Sequence, residues 1–314
     1  MDYTDLGRTG LNVSVAGLGC GGKSRLGQGA GKSVDDSIAL IHRAMDLGVN
    51  FFDTARAYGT ESILGAAIKD QPRDSVIIST KHHATDVTAD QLVAGIDASL
   101  KELQTDYIDI FHLHGVAPDV YDHALLELVP VLLRARERGK IRFLGITETS
   151  PNDHSQAMLQ RAVKDDCWDV MMLAFNMMHQ IARARIFQKT REQKIGTLIM
   201  FAVRSLFSVP GSLEETMAEL AADGRVPAWM GEREAPLEFL LDEGGADSVI
   251  DAAYRFARHE PGADVVLFGT GDAAHLDANI QSILKPPLPE AVQAKLAELF
   301  GALEGIGLDG PGAR

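Results

Sequence analysis

The sequence predicts an α/β fold, a closed (β/α)8 TIM barrel, from three observations. Short apolar runs rich in β-branched residues recur eight times, each followed by a stretch of helical periodicity. Those runs are apolar at nearly every position, as in strands buried on both faces of a parallel sheet. The 314 residues hold a barrel of ~250 residues plus insertions, and no linker marks a second domain.

In chain order, Tyr3–Leu11, with Gly7 and Gly10, reads as a short N-terminal β-hairpin. The expected barrel strands are Val13–Leu18, Val49–Phe52, Val76–Thr80, Ile108–Leu113, Ile141–Ile146, Asp169–Ala174, Thr197–Phe201 and Val265–Phe268. Ser33 and Asp36 cap a helix carrying Ile38, Ile41 and Met45 that stops at Gly48, and Thr88 and Gln91 form a capping box before Ile96, Leu100 and Leu103. Asp122–Gly139 reads as a helix whose last turn carries Arg134, Arg136 and Arg138 at the negative dipole end. Pro130 inside it implies a kink or a later start. Asn152–Lys164, Arg183–Gln193, Ser248–His259 and Ala274–Ile283 complete the helices. Residues 205–245, rich in Glu, Gly and Pro, form a long insertion on the C-terminal rim, and Gly19–Gly31 is a second rim loop. Lys285–Pro289 ends the barrel, a helix around Ala291–Leu303 follows, and 286–314 is the tail of a single domain, 1–314.

Lys and Arg number 30 against 44 Asp and Glu, a net charge of −14 that disfavours nucleic acid and anionic membranes as partners. Two cysteines, Cys20 and Cys167, make neither a disulfide framework nor a cysteine metal site. No apolar run approaches the ~20 residues of a membrane span, and Met1–Asp5 lacks the pattern of a secretory signal. The expectation is a cytoplasmic protein, a monomer or small homo-oligomer, acting on a small molecule.

Barrel chemistry sits where strands end. Asp53 ends the second strand with Tyr58 just beyond it, Lys81 ends the third, and His112 and His114 end the fourth. A buried Lys81 beside Asp53 keeps its charge, and an ammonium stabilises phenolate, so Tyr58 is expected below its reference pKa of ~10. Such a phenol passes a proton to a developing alkoxide, while His114 orients or polarises a carbonyl. No Ser or Cys has an evident base partner. Hydride from a bound nicotinamide fills that gap.

These residues lie in longer motifs. Leu6–Ser14 followed by Gly17-Leu18-Gly19, Asp46–Ala55 followed by Tyr58-Gly59, Asp106–His114, and Gly269–Asn279 together resemble the aldo-keto reductase superfamily, from Tyr3 to about Ile283. The resemblance implies an NAD(P)H-dependent oxidoreductase interconverting a carbonyl (aldehyde or ketone) and an alcohol. It makes Tyr58 the proton donor, Lys81 and Asp53 its tuning pair, and His114, by register, the histidine. NADPH rather than NADH is the implied cofactor. Its phosphates would rest on Gly269, Thr270 and Gly271 at the start of the last barrel helix, with His275 near the 2′-phosphate and Asn279 near adenine. Gly22, Asp53, Thr147, Asn176, Phe201 and Arg204 complete the implied cofactor contacts, Phe201 stacking on the nicotinamide and Arg204 reaching the pyrophosphate.

The chain departs from the family at the carboxamide contacts. Thr147-Glu148 stands where Ser-Asn is common, and a carboxylate cannot donate like an asparagine amide. Met172, four residues before Asn176, stands where Gln is usual, and Gln180 is no evident substitute. Two other readings compete. A metal-dependent hydrolase would use the same-face pair His112/His114 with Asp53, His82 and His83. A non-catalytic cofactor-binding subunit would account for Glu148 and Met172. Trp229, Phe207 and Trp168 are candidate pocket-wall aromatics.

Overall fold

A computed structural model describes residues 1–150 and 152–308. Two short strands, β1 (Tyr3–Asp5) and β2 (Asn12–Ser14), pair antiparallel as a hairpin. Eight parallel strands then close into a barrel: β3 (Ala16–Gly19), β4 (Phe51–Asp53), β5 (Ile77–His83), β6 (Ile108–Val116), β7 (Ile141–Glu148), β8 (Val170–Ala174), β9 (Gly196–Met200) and β10 (Val265–Phe268). β10 pairs with both β9 and β3, which closes the ring. Neighbours in sequence are neighbours in space because each helix carries the chain back across the outside of the barrel.

All eight expected strands form, with three kinds of adjustment. Val13 and Ser14 belong to the hairpin rather than to the first barrel strand, because Ser14 pairs with Tyr3 and its amide donates to Asn50 Oδ1 at 2.7 Å. β5, β6 and β7 run past their expected ends, so His82, His83, His114 and Glu148 lie inside strands. Phe201 falls just outside β9, with a left-handed φ of 65°.

Both capping boxes form, at Ser33 before the helix Val34–Asp46 and at Thr88 before the helix Ala89–Leu103. The expected 122–139 helix begins with the short helix Tyr121–His123, passes through a π turn at Ala124–Leu128, and continues as the helix Val129–Glu137. Pro130 lies at the start of that last segment, where its missing N–H is tolerated and the wider turn relieves its clash with the preceding turn. Of Asn152–Lys164 only Ala157–Ala162 is helical. Gln156 adopts a left-handed φ of 54°, and Asp153 instead caps the start by accepting from the amides of Ala157 and Met158, both at 2.9 Å. The insertion 205–245 is built of short helices, Ser205–Ser208, Ser212–Ala222, Ala228–Gly231 and Phe239–Asp242. The tail helix spans Glu290–Phe300, and residues 309–314 of the expected tail lie outside the described residues. Among the described residues no helix is long and apolar enough to cross a membrane.

Strand alternation separates two cores. The larger fills the space between strands and helices. The smaller fills the lower barrel lumen with Phe51, Ile77, Ile110, Val170, Met172, Leu198 and Val265, and the hairpin residues Leu6, Leu11 and Val13 close it from below. Two residues further up the same inward-facing series, β5 and β6 turn polar, at Ser79 and Lys81 and at His112 and His114. A dry plug at the bottom and polar groups at the top confine the chemistry to the C-terminal rim.

Candidate active site

The site is organised around one buried ion pair. Lys81 Nζ donates to Asp53 Oδ2 at 2.5 Å and to the Thr54 carbonyl at 2.8 Å, and Ser79 Oγ donates to Asp53 Oδ1 at 2.7 Å. Lys81 is fully buried and Asp53 nearly so. Burial pushes the Asp53 carboxyl up, against the pull of Lys81. Burial works to lower the Lys81 pKa, but Asp53 and Tyr58 outweigh it and raise it. At this contact distance both partners are ionised.

Tyr58 ends a single 3-10 turn, Arg56–Tyr58, directly after β4. Its ring lies flat against Gly21: a Cβ there would stand 2.4 Å from Tyr58 Cε2. Thr60 Oγ1 donates to the Cys20 carbonyl at 3.1 Å and contacts Thr54 Oγ1 at 2.9 Å, which ties the Tyr58 turn to the loop after β3. The Tyr58 hydroxyl stands 3.4 Å from His114 Nε2, with the rings edge-to-face at 5.6 Å, and Lys81 Nζ lies 5.0 Å from the phenol centroid. Burial raises the phenol above its ordinary value; Lys81 pulls it down, as expected from the sequence, but does not win. The expected lowering is therefore reversed by desolvation. Burial, then Lys81, His83 and His82, push His114 down to about 3, so its imidazole is neutral at ordinary pH.

His112 lies on the same face as His114 but deeper, fully buried, and Gly145 on β7 makes room for its ring. Its ring nitrogens make no well-formed hydrogen bond, only a weak approach to the Ile146 backbone, and burial first, then Lys81, holds the imidazole well below its ordinary pKa. Among the described residues no group of three or more His, Cys, Asp or Glu side chains could hold a metal ion. The hydrolase reading therefore finds no ligand set. A cavity of about 460 Å³ opens behind β5, lined by His82, His83, Arg56, Asp86 and Gln91, but neither Tyr58 nor Lys81 lines it.

The residues implied for a cofactor divide into two groups. Phe201 and Arg204 form a stacked platform at the end of β9, the guanidinium carbon 4.3 Å from the ring centroid. A non-glycine residue held left-handed here is the kind of local strain that persists where it serves a site. Thr147 Oγ1 accepts the Gly115 amide at 2.7 Å and keeps its own proton for donation. Gly22 is exposed beside the Tyr58 turn, and Gly269 faces Gly19 and Ser24 across the rim. An aromatic platform, a free hydroxyl and the Tyr58–His114–Lys81 set fit a nicotinamide group.

Other implied contacts are engaged elsewhere. Asn176 is fully buried; its Nδ2 donates to the tail carbonyls of Ile306 (3.3 Å) and Gly307 (3.5 Å), and its Oδ1 accepts the Met178 amide. Gln180 is bonded to the carbonyls of Met177 and Leu296. Met172 lies in the apolar lumen. Thr270 Oγ1 accepts the Asp272 amide at 3.1 Å, and Asp272 caps the helix Ala273–Leu284. His275 is exposed and Asn279 partly exposed on that helix. Trp168 is buried below β8, its Nε1 donating to the Tyr121 hydroxyl at 3.1 Å, so it is no part of a rim pocket. Phe207 is buried in the outer core, and Trp229 is 37% exposed beneath Arg233.

Glu148 differs from its sequence reading. Its Oε1 accepts from the Ala174 amide (2.5 Å), Ser150 (3.0 Å) and Gln156 (3.4 Å), and burial pushes the carboxyl up to about 8. At neutral pH it is mostly the protonated acid, which can donate one hydrogen bond. Gly21 was not singled out from the sequence; the run Gly19-Cys20-Gly21-Gly22 after a strand was its only signal.

The model of the Aldo/keto reductase family matches residues 17–300. Aldo-keto reductase YhdN of Bacillus subtilis (strain 168) is 30% identical over 299 residues, covering 88% of this chain and 87% of that protein. L-galactose dehydrogenase of Arabidopsis thaliana is 40% identical over 152 residues, 45% of this chain and 47% of the relative, so the chain matches only about half the length of that protein. In fold, the chain is similar to an aldo-keto reductase from Bacillus halodurans solved in its holo form (TM-score 0.73, 20% identity, covering 98% of this chain and 100% of that one). It is equally similar to a thermostable aldo-keto reductase solved with the inhibitor epalrestat (TM-score 0.72, 21% identity, 95% and 99% covered). The family match spans all eight barrel strands but β3's first residue, and both solved relatives share the fold over nearly the whole chain: the chain belongs to the aldo/keto reductase family.

Proposed function

We propose that the chain is a nicotinamide-dependent oxidoreductase that interconverts an aldehyde or ketone with an alcohol, Tyr58 being the proton donor. The observation that carries this reading is the Tyr58 hydroxyl 3.4 Å from a neutral His114, above the buried Lys81–Asp53 pair. The bound cofactor would supply hydride. The raised pKa keeps Tyr58 protonated at neutral pH, which suits an acid in the direction of reduction. Lys81 holds positive charge beneath the phenol and stabilises the phenolate left once the proton has gone. His114, being neutral, orients the substrate oxygen by hydrogen bond without competing as an acid. The Phe201–Arg204 platform and the Thr147 hydroxyl would hold the nicotinamide end.

The substrate is a small carbonyl compound or alcohol, and the L-galactose dehydrogenase match places sugars in the first panel to assay. Two free cysteines suit a reducing, cytoplasmic setting, as a monomer or small homo-oligomer. Tyr58→Phe tests the proposal. Turnover on a carbonyl and sugar panel is expected to fall by a factor of ~100 or more, the scale of general acid catalysis, with dinucleotide affinity retained. Undiminished turnover in Tyr58→Phe would remove the phenol from the chemistry and favour a non-catalytic binder or another acid.

A further inference from the structure

We propose that Asp272 selects against a 2′-phosphate on the cofactor, so that this chain prefers NADH to NADPH. The inference rests on the nicotinamide reading above and reverses the preference that the family resemblance implies. In barrels of this kind, phosphate groups are commonly held by the loops after the last strands and by an adjoining helix N-terminus. Here that place is the loop between β10 and the helix Ala273–Leu284.

Asp272 stands at the helix N-cap in extended conformation, and its Oδ1 accepts from both the Ala274 amide (2.9 Å) and the His275 amide (3.0 Å). The two amides that would greet an incoming phosphate already hold a carboxylate. Those same backbone bonds, His275 first, hold the Asp272 carboxyl below its ordinary range, so it remains charged throughout neutral pH. Thr270 is no freer, since its hydroxyl accepts the Asp272 amide at 3.1 Å and donates to the Asp272 carbonyl at 3.4 Å.

The surroundings offset that charge only in part, through His275 and then Lys32. Lys32 Nζ donates to the Gly271 carbonyl at 2.6 Å, and a Cβ on Gly271 would stand 2.4 Å from Gly27 Cα, so the loop is closed against its neighbour. Arg43, the guanidinium beside this helix, is engaged by Asp277 through two bonds of 3.1 and 2.9 Å. A dianionic 2′-phosphate would meet a fixed negative charge on the amides it needs. A ribose hydroxyl is the better partner, because both amide bonds fall on Oδ1 and a hydroxyl can donate to the carboxylate's other oxygen.

The test is a fluorescence titration of the whole protein with NADH and, separately, NADPH, repeated with Asp272→Ser. Serine caps a helix about as well as aspartate, so the fold is kept while the charge is removed, which thermal unfolding checks. Wild type is expected to bind NADH about tenfold or more tighter than NADPH, the gap narrowing as salt rises. Asp272→Ser is expected to tighten NADPH about tenfold and to weaken NADH severalfold, through the lost ribose contact. Equal or tighter binding of NADPH by wild type would overturn the inference, as would an unchanged NADH/NADPH ratio in a folded Asp272→Ser. Binding of neither dinucleotide would instead overturn the nicotinamide reading itself, and this inference with it.

Discussion

Asp53→Asn is the sharpest perturbation of the site, because it removes one charge and almost no volume. Ser79 can still donate to the amide oxygen, and Lys81 keeps the Thr54 carbonyl, but the fully buried ammonium loses its counter-charge. Breaking a buried pair by removing one partner costs ~3–5 kcal/mol, because the other charge is left desolvated and uncompensated. The pH dependence carries a sign. In wild type the Lys81 pKa is raised, so the stability it contributes is complete below the unfolded value of ~10.4 and is lost as pH climbs through the folded value. With Asp53 gone, burial dominates and the folded pKa falls below that of the unfolded chain. Stability then rises with pH across the alkaline range, by at most ~1.4 kcal/mol per pH unit. Equilibrium denaturation followed by the fluorescence of the buried Trp168 measures both effects. Asp53→Asn/Lys81→Met is expected to recover part of the loss, since neither charge then remains. An Asp53→Asn cost under about 1 kcal/mol, or a double variant no more stable than the single one, would refute the picture of a desolvated pair.

Two other variants probe positions for which the structure supplies the magnitude. Gly21→Ala places a methyl 2.4 Å from Tyr58 Cε2, so the ring must shift; kcat is expected to drop by about tenfold or more at unchanged dinucleotide affinity, and a wild-type kcat would show that the ring does not need this seat. Glu148 carries a folded pKa of about 8, so its burial costs progressively more stability as pH rises from the unfolded ~4.3 through that value. Glu148→Gln is therefore expected to gain on wild type as pH goes from 5 to 8, and parallel stability curves would show that the carboxyl does not titrate there.

Most of the barrel was legible because its physics is local and periodic. Runs such as Val265–Phe268 announce a strand buried on both faces, and Ser33/Asp36 and Thr88/Gln91 announce helix starts. The catalytic candidates were legible for a related reason: Asp53, Lys81 and His114 stand at strand ends, and a barrel brings strand ends together. What escaped depends on contacts between distant segments. Asn176 looked free for a ligand until the tail, 130 residues later, took its amide. The Gly21 seat for Tyr58 exists only once the loop after β3 crosses the turn after β4. The Asn152–Lys164 helix starts late, at Ala157, because of one left-handed residue, Gln156, that composition does not reveal.

The misread signs are more instructive than the missed contacts. Proximity of Lys81 to Tyr58 was correctly anticipated, yet the phenol pKa rises rather than falls, since a sequence names the neighbours of a group but not how much water each loses. Glu148 was read as a carboxylate for the same reason, and burial makes it an acid with a proton to give. Asp272 is the opposite case: an aspartate directly before a helical stretch is an N-cap on local grounds alone, and the glycines around it drew the reading toward a phosphate cradle. A glycine-rich loop is open to an anion only while its amides are unclaimed. The residue that claims them here is itself an anion, so the motif that looks like a phosphate site carries, in its fourth position, the charge that on our proposal opposes a 2′-phosphate.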